Sequence, residues 1–145
     1  MSLIIREIEE KDYLALLPLW NNELGVRTVT AENIAPRYNR VKNDDSYKTF
    51  VAILEDQVVG FVSSLQSYGV ASDCSYMQII GIAVAKEMHN HGIGTQLLNH
   101  IENYGRDNSI LSVFLCSGVK RTDAHAFYQR NGYSKDNSWC FDKKL

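Results

Sequence analysis

The sequence predicts an α/β domain with a mixed sheet, in the order βααβββαβαβ. Short runs rich in β-branched and aromatic residues, bounded by turn residues, predict the strands. Between them, apolar residues recur at three- and four-residue steps, which predicts amphipathic helices. With 145 residues, 45% of them hydrophobic and 22% charged, the chain is long enough for one core, so we expect a single domain over 1–145.

Charge and cysteine usage disfavour several classes of protein. The formal net charge of −2 disfavours a general nucleic-acid binder. The 3 cysteines are widely spaced and form no C-x-x-C pair, so neither a disulfide framework nor a zinc ribbon is expected. Acidic residues follow the first few apolar ones, unlike in a signal peptide, and no uncharged apolar run approaches the roughly 20 residues of a membrane span. We therefore expect a cytoplasmic protein with no nucleic-acid or membrane partner.

The N-terminal part of the chain predicts one strand and two helices. Residues 3–8 form the strand, and Gly25 ends the first helix, in which Pro18 marks a kink or a break. The apolar positions of that helix are Tyr13, Leu16, Leu17, Trp20 and Leu24. Thr30 is the candidate cap of the second helix. Its apolar positions are Ile34, Tyr38 and Val41.

A hairpin, a long strand and a helix follow. Two β-branched, aromatic-rich runs flank the segment Glu55-Asp56-Gln57, which predicts a hairpin turn there. Residues 75–84, SYMQIIGIAV, predict a central strand covered on both faces, with a bulge near Gly81. A helix begins after Gly92. Its apolar stripe consists of Ile93, Leu97, Ile101 and Tyr104.

The C-terminal part predicts a buried strand, a short helix and a last strand. The buried strand is ILSVFLC, residues 110–116, with Cys116 as a small apolar core residue. The helix is DAHAFYQRN, residues 123–131, and Gly132 stops it. The segment NSWCFDKKL, residues 137–145, alternates weakly and is expected to close the sheet.

The loop HNHGIG, residues 89–94, allows three interpretations. A dinucleotide fingerprint needs a third glycine where Leu97 stands, and the Walker pattern is absent. Backbone amides converging at a helix N-terminus predict an anion site, because they have no intrahelical acceptor and the helix dipole favours negative charge. The alternative is that Gly92 and Gly94 only ease a tight turn. A metal is not expected, because no cysteine or carboxylate stands at ligand spacing beside His89 and His91.

Two segments together resemble the GNAT superfamily of N-acetyltransferases. HNHGIG is similar to that family's acyl-CoA loop, usually written Q/R-x-x-G-x-G/A. AHAFYQRNGY, residues 124–133, is similar to its A-x-x-F-Y-x-x-x-G-F/Y segment. The resemblance implies a mixed, mostly antiparallel central sheet flanked by helices, whose central strands splay to form an acyl-CoA slot.

The resemblance also implies that the chain uses acetyl-CoA as acyl donor, without a metal. The residues implied to hold the CoA pyrophosphate are His89, Asn90, His91, Gly92, Ile93, Gly94 and Thr95. Backbone groups of the strand residues Ile82, Ala83 and Val84 are implied to pair with the pantetheine arm. Tyr128 resembles the family's general acid and thiol contact, although its spacing also fits a core tyrosine of an amphipathic helix.

Three positions depart from the family pattern. His89 replaces the usual Arg or Gln, and Arg121 stands where many members have Asn. Gln78 occupies the position of a catalytic Glu and is unable to act as a base. The general base is therefore unassigned. The candidates are water, Glu23, Asp73 and His125.

The resemblance leads to two functional hypotheses. The first is an acetyl-CoA-dependent N-acetyltransferase that acts on a primary amine of a small molecule or peptide, by direct attack of the amine. The alternative is a catalytically silent CoA-binding regulatory module, which Gln78 and His89 suggest. The sequence does not name the acceptor amine. Trp20, Tyr38 and Tyr68 are candidates for stacking on it or for the core, and a homodimer is neither required nor excluded.

Overall fold

The computed structural model describes residues 2–145, which divide into two compact units. The first unit ends at Leu115 and the second runs from Cys116 to Leu145. The single domain predicted over 1–145 stays a prediction. In chain order the elements are β1 (Ile4–Glu7), a 3-10 helix (Glu10–Leu16), a π-helical turn (Leu19–Glu23), α1 (Ile34–Val41), β2 (Tyr47–Leu54), β3 (Gln57–Gly69), β4 (Cys74–Val84), a 3-10 turn (Lys86–Met88), α2 (Ile93–Asp107), β5 (Ile110–Phe114) and α3 (Thr122–Arg130).

The sheet of the first unit has 5 strands in the order β1-β2-β3-β4-β5. The first three pairings are antiparallel, and β4 pairs with β5 in parallel. The predicted sheet, mixed and mostly antiparallel, is therefore confirmed. A parallel neighbour needs a crossover connection, and α2 provides it between β4 and β5.

The predicted hairpin is confirmed. Glu55 and Asp56 connect β2 to β3, and both have positive φ angles, 50° and 62°. Two central residues with positive φ are the mark of a turn whose twist matches that of the flanking strands. Asp tolerates this conformation better than most residues do. The turn therefore sets the register of the meander from β2 onward.

A bulge interrupts β4 at Ile80. Ser63 of β3 pairs with Gly81, but Ser64 pairs with Ile79, so Ile80 is an extra residue without a cross-strand partner. The bulge predicted near Gly81 is confirmed. The strand is largely covered, as predicted, except for Ile80, whose side chain is 43% exposed.

Gly81 has no room for a side chain. A Cβ atom there would lie 2.7 Å from the Cη2 atom of Trp20 and 3.3 Å from a ring atom of Phe61. The rings of Trp20 and Phe61 pack with their centroids 5.0 Å apart. The indole Nε1–H of Trp20 also donates to the hydroxyl of Tyr38 over 2.9 Å. The indole therefore rests directly on the backbone of β4.

Helices cover both faces of the sheet. One face packs against the N-terminal helical segments in a core that includes Leu16, Leu19, Ile34, Val51 and Phe61. The other face carries α2, which packs on β2, β3, β4 and β5. The buried residues of α2 include Ile93, Leu97 and Ile101 of the predicted stripe, and its fourth residue, Tyr104, is half-buried. No helix within residues 2–145 is long and apolar enough to cross a membrane.

The first predicted helix is not a regular α-helix. A 3-10 helix and a π-helical turn stand in its place, with Pro18 at the junction. Proline lacks an N–H group and its ring clashes with the preceding turn, so a continuous α-helical hydrogen-bond pattern is interrupted there. The break predicted at Pro18 and the end at Gly25, whose φ is 70°, are both confirmed.

Two predictions for the C-terminal part are wrong. No strand forms over residues 137–145, where Trp139 is 85% exposed and Phe141 95%. An alternating pattern stabilises a strand only if a neighbour pairs with it and covers one face. Cys116, predicted in the core, is exposed because β5 ends before it.

The strand β5 itself is confirmed, but its predicted burial is not. Leu111 is 65% exposed and Phe114 46%. Only β4 pairs with β5 among the residues that the structure describes, so β5 is an edge strand and its apolar side chains are not enclosed. In the second unit, the predicted helix forms as α3 and ends before Gly132, whose φ is 89°.

A partly buried ion pair connects β1 to the helix that follows. The carboxylate of Asp12, 4% exposed, accepts hydrogen bonds from Arg6 over 2.7 and 3.0 Å. It also accepts one from the amide of Glu9 over 2.8 Å. Burial alone would raise the pKa of Asp12, but the hydrogen bonds and the charges of Arg6 and Lys11 together lower it. The ionised form of Asp12 therefore stabilises the fold.

We expect Gly81→Ala to lower the free energy of unfolding by about 1–3 kcal/mol, because the added methyl group displaces an indole that Phe61 and Tyr38 hold in place. Urea denaturation followed by tryptophan fluorescence measures the loss. Gly118→Ala is the matched control, since a Cβ at Gly118 meets only Arg121, at 3.8 Å. Equal stability of the two variants would contradict the close packing at Gly81.

We expect Asp12→Asn to destabilise the protein by about 2 kcal/mol at neutral pH, because Arg6 loses its charged partner. The pKa of Asp12 is lowered in the folded state, so its contribution is present above the unfolded pKa and is lost as the pH falls through the folded pKa. Chemical denaturation at neutral and acidic pH tests both statements. Glu10→Gln, which removes an exposed partner of Lys42, is expected to change stability less. If the difference in free energy of unfolding between the unmodified protein and Asp12→Asn stayed the same in acid, this role of Asp12 would be contradicted.

Candidate functional site

The first part of the candidate site is an unpaired strand edge. The parallel ladder between β4 and β5 begins at Ser75 and ends where Gln78 pairs with Phe114. Beyond Gln78, β4 continues to Val84 with β3 on one side, and no strand within residues 2–145 pairs with its other side. The two strands thus separate at Gln78, which lies at the fork.

The pairing pattern decides which backbone groups face this open edge. The amide of Ala85 donates to the carbonyl of Val59 over 2.8 Å, so residue 85 forms a hydrogen-bonded pair with β3. Such pairs alternate along an antiparallel ladder. Val84 and Ile82 therefore direct their amide and carbonyl groups toward the open edge. Those of Ala83 face β3, so of the three strand residues predicted to contact a ligand, Ile82 and Val84 offer backbone groups at this edge and Ala83 does not.

The loop after β4 leads into α2 through two left-handed residues. Asn90 has a φ of 65°, and Gly92, at the helix N-cap, has a φ of 77°. A Cβ atom on Gly92 would meet nothing within 4 Å, so the space beside it is open. Gly92 is therefore required by its backbone conformation, and it also leaves the approach to the helix end unobstructed.

The first turn of α2 presents free amides. The first hydrogen bond of the helix runs from the amide of Gln96 to the carbonyl of Gly92, over 3.1 Å. The amides of Ile93, Gly94 and Thr95 precede it and have no intrahelical acceptor. Together with the positive end of the helix dipole, they form an arrangement that attracts anions such as phosphate.

The two loop histidines hydrogen-bond to the backbone of their own loop. His89 donates from Nε2 to the carbonyl of Val84 over 2.8 Å, and the same atom lies 3.5 Å from Oε2 of Glu23. His91 donates from Nδ1 to the carbonyl of His89 over 2.8 Å. Each ring keeps one nitrogen without a partner among the described residues. The predicted contacts of His89 and His91 with a pyrophosphate stay predictions.

A cavity of about 250 Å³ lies in the first unit, between α1 and strands β2 to β4. Its aromatic residues are Trp20, Tyr38 and Tyr47, and its hydroxyl residues are Thr49, Ser63 and Ser64. We call it the α1 cavity. Two of the three aromatic candidates from the sequence line it, but Tyr68 does not; Tyr68 is 60% exposed and donates to Asp73.

Hydrogen bonds connect the walls of the α1 cavity. Trp20 donates to Tyr38, and the hydroxyls of Thr49 and Ser63 lie 2.8 Å apart. Burial raises the pKa of Tyr38, and its hydrogen bonds with Trp20 and Ser63 only partly offset that effect. Tyr38 therefore stays neutral at physiological pH.

The sequence analysis did not identify Arg37 or Ile80 as site residues. Both line the α1 cavity, and Ile80 does so because the bulge turns it there. Arg37 is the charged residue among the lining residues. Its position three residues after Ile34 and four before Val41, on an apolar stripe, was a signal available in the sequence.

The candidate bases lie in different surroundings. Glu23, at the end of the π-helical turn, faces His89. Asp73 lies in the connection before β4, with a φ of 51°. In the second unit, His125 donates from Nε2 to the carbonyl of Gly118 over 2.8 Å. The general base stays unassigned.

Tyr128 lies on α3 in the second unit and is half-buried. Its ring packs edge-on against Phe127 and Tyr133. Burial raises the pKa of Tyr128, and the positive charge of Arg121 opposes this only in part. The phenol therefore keeps its proton at neutral pH, as a general acid requires.

Comparisons with known proteins agree with this architecture. The chain is 32% identical over 95 residues to an aminoalkylphosphonate N-acetyltransferase of Salmonella typhimurium, a match that covers 66% of this chain and 61% of that relative. A crystal structure of a GNAT family acetyltransferase from Staphylococcus aureus has a TM-score of 0.83 at 24% identity, with 100% of both chains covered. The structure of AAC(6')-Iy in complex with a bisubstrate analog, CoA-S-monomethyl-acetylneamine, has a TM-score of 0.85 at 14% identity, covering 100% of this chain and 99% of that one.

These solved structures confirm the predicted fold class, a mixed sheet of the GNAT type flanked by helices. At such identities they show the fold alone. The sequence match to the family is broader and runs over residues 5–133. The chain belongs to the acetyltransferase (GNAT) family.

Proposed function

We propose that this protein is an acetyl-CoA-dependent N-acetyltransferase that acetylates a primary amine of a small molecule. The observation that carries the proposal is the juxtaposition, within one unit, of an unpaired β4 edge and a helix N-terminus with free amides. The edge suits an extended arm that carries amide groups, and the helix end suits a diphosphate. Acetyl-CoA contains both, joined in one molecule.

The residues that we assign to acetyl-CoA follow from this geometry. The amides of Ile93, Gly94 and Thr95 are proposed to hold the pyrophosphate, next to the open space at Gly92. Ile82 and Val84 are proposed to pair with the pantetheine arm. The carbonyl of Val84 already accepts a hydrogen bond from His89, so its amide and the backbone groups of Ile82 are the free contacts.

The bound thioester supplies an activated acetyl group. The amine nitrogen attacks its carbonyl carbon, so a C–N bond forms and the C–S bond breaks. The amide of Ile82 is proposed to stabilise negative charge on the carbonyl oxygen. Tyr128 is proposed to donate its phenolic proton to the departing sulfur, and the raised pKa of Tyr128 keeps that proton available. Gln78 has no proton-accepting group, so water is our candidate for removing the amine's proton.

The relatives and the α1 cavity support a small acceptor. The curated relative is named for acetylating aminoalkylphosphonates, and one neighbouring structure holds an acetylneamine analog. The α1 cavity, at about 250 Å³, is just below the usual range of small-molecule pockets, roughly 300–1,000 Å³. It borders the bulge at Ile80, beside the open edge. We therefore propose the α1 cavity as the acceptor site.

We expect the unmodified protein to bind acetyl-CoA in a calorimetric titration and Gly92→Glu to bind it at least about 100-fold more weakly. The carboxylate places negative charge where the diphosphate is proposed to lie. Gly92→Gln is the control, because it has nearly the same shape and the same backbone strain at a φ of 77° but adds no charge. Equal binding by the Glu variant would contradict the proposed pyrophosphate site. Binding without turnover of any amine would favour the silent CoA-binding module instead.

We expect Tyr128→Phe to lower kcat by about 100- to 10,000-fold while leaving acetyl-CoA affinity nearly unchanged, because only the proton donor is removed. Thiol release in the presence of amine, together with calorimetry, separates the two effects. In the unmodified protein the rate is expected to fall as the pH rises through the raised pKa of Tyr128. Tyr68→Phe, which alters an exposed tyrosine outside the α1 cavity, is the control. A kcat unchanged in Tyr128→Phe would rule out this role.

A further inference from the structure

The apolar stripe of α1 contains one charged residue. Ile34, Arg37, Tyr38 and Val41 stand at helical spacing on the same side of α1, and all four line the α1 cavity. Ile34 is 1% exposed, so this side of the helix is the one that packs against the sheet. Arg37 lines the cavity while it remains exposed to solvent.

Arg37 has no anionic partner within residues 2–145. Among the described residues, Arg6 pairs with Asp12 and Lys42 with Glu10, whereas Arg27 and Arg40, like Arg37, form no ion pair. No Asp or Glu lines the α1 cavity, and Tyr38 stays neutral. Arg37 is therefore the one formal charge lining it. A guanidinium without a partner beside an apolar wall attracts carboxylate or phosphonate groups, which it binds through two parallel hydrogen bonds.

The other residues that line the α1 cavity indicate what the uncharged part of the ligand is like. Three aromatic rings, Trp20, Tyr38 and Tyr47, offer faces for an apolar or aromatic body. Ile80, in the bulge two residues before Ile82, also lines the cavity. The proposed acetyl transfer occurs beside Ile82. A ligand that reaches from Arg37 to Ile80 thus has its anion at one end and its amine at the other.

We propose that the acceptor is a small amine with an apolar or aromatic body and a terminal carboxylate or phosphonate, and that Arg37 binds this anionic group and determines specificity. This inference rests on the proposed acetyltransferase function for the position of the amine, but not for the binding of the anion. Amines with several positive charges are poor acceptors in this account, because a second ammonium group is repelled by Arg37 and finds no carboxylate in the cavity.

A matched set of amines tests the proposal. Para-aminomethylbenzoate carries the anion opposite the amine, para-aminomethylphenylphosphonate replaces the carboxylate, and para-aminomethylbenzamide is a neutral compound of nearly the same shape. We expect kcat/KM for the better anionic compound to exceed that for the amide by about 10- to 100-fold. Comparison of the two anionic compounds decides between carboxylate and phosphonate.

Substitution of Arg37 is the second part of the test. Arg37→Gln is expected to remove the preference for the anionic amines and to leave kcat/KM for the neutral amide within about threefold. Arg40→Gln removes the same charge from another exposed position of α1, which does not line the cavity, and it is expected to keep the preference. Circular dichroism confirms that both variants are folded. If Arg37→Gln lowered kcat/KM equally for the anionic amines and the neutral amide, the role of Arg37 would be overturned.

Calorimetry without acetyl-CoA separates this proposal from the proposed function. Tighter binding of an anionic amine than of the amide, abolished in Arg37→Gln, supports the anion site even if no acetyl group is transferred. Acetyl transfer without any preference for the anionic amines overturns the inference and leaves the acetyltransferase function intact. Failure of the unmodified protein to bind either anionic amine better than the amide also overturns it.

Discussion

The single extra residue in β4, Ile80, is the constraint on which the candidate site depends. Met77 contacts Gly105 of α2, whereas Ala83 packs with Leu16 and Phe61 on the opposite face of the sheet. Residues an even number apart on a regular strand share a face. Met77 and Ala83 are six residues apart but lie on opposite faces, so the bulge between them is required. The extra residue turns Ile80 toward the α1 cavity and brings Gly81 under the indole of Trp20.

The bulge also connects the two parts of the candidate site, the open edge of β4 and the α1 cavity. Trp20 rests on Gly81 and donates to Tyr38, so the wall of the α1 cavity is positioned by the backbone of the same strand whose edge is open. The last residue of that strand to pair with β5 is Gln78, only two positions before the bulge. A change in the path of β4 is therefore transmitted to both the open edge and the cavity.

Two features of the first unit attract negative charge by different means. At the start of α2, neutral amides and the helix dipole act together, and their effect falls off within one turn. At Arg37 a full charge on a planar, forked group acts, which favours ligands of matching geometry. The protein as a whole carries a formal net charge of −2, so each of these features is a local exception and not part of a general basic surface.

Much of the fold was predictable because local rules determined it. The hairpin at Glu55 and Asp56, the bulge near Gly81 and the helix after Gly92 each follow from turn chemistry or periodicity, and all three are present. The 3-10 and π segments around Pro18 were not predictable, since the apolar spacing of such short helices resembles that of an α-helix. Residues 137–145 have a strand-like pattern, but whether a strand forms depends on a pairing partner that the pattern does not specify.

The candidate site was predictable in part. The loop and the strand before it were identified from glycines and from family resemblance. Their residues follow one another in the sequence, so a sequence pattern reveals them. The α1 cavity was not identified, because residues from α1, β2, β3 and β4 converge there only in the folded chain. Asp12 illustrates the same limit: it reads as a polar residue at the start of a helix, and only the packing of β1 against that helix explains its burial.

The open edge of β4 also bears on whether the protein remains dispersed in solution. A strand edge with free amide and carbonyl groups is a template for pairing with another polypeptide, and natural sheets avoid this with bulges and with side chains that cover the edge. Here the bulge at Ile80 distorts the edge, and His89 occupies the carbonyl of Val84. The features that leave this edge accessible to a small ligand thus also protect the protein from joining its sheet to that of a neighbour.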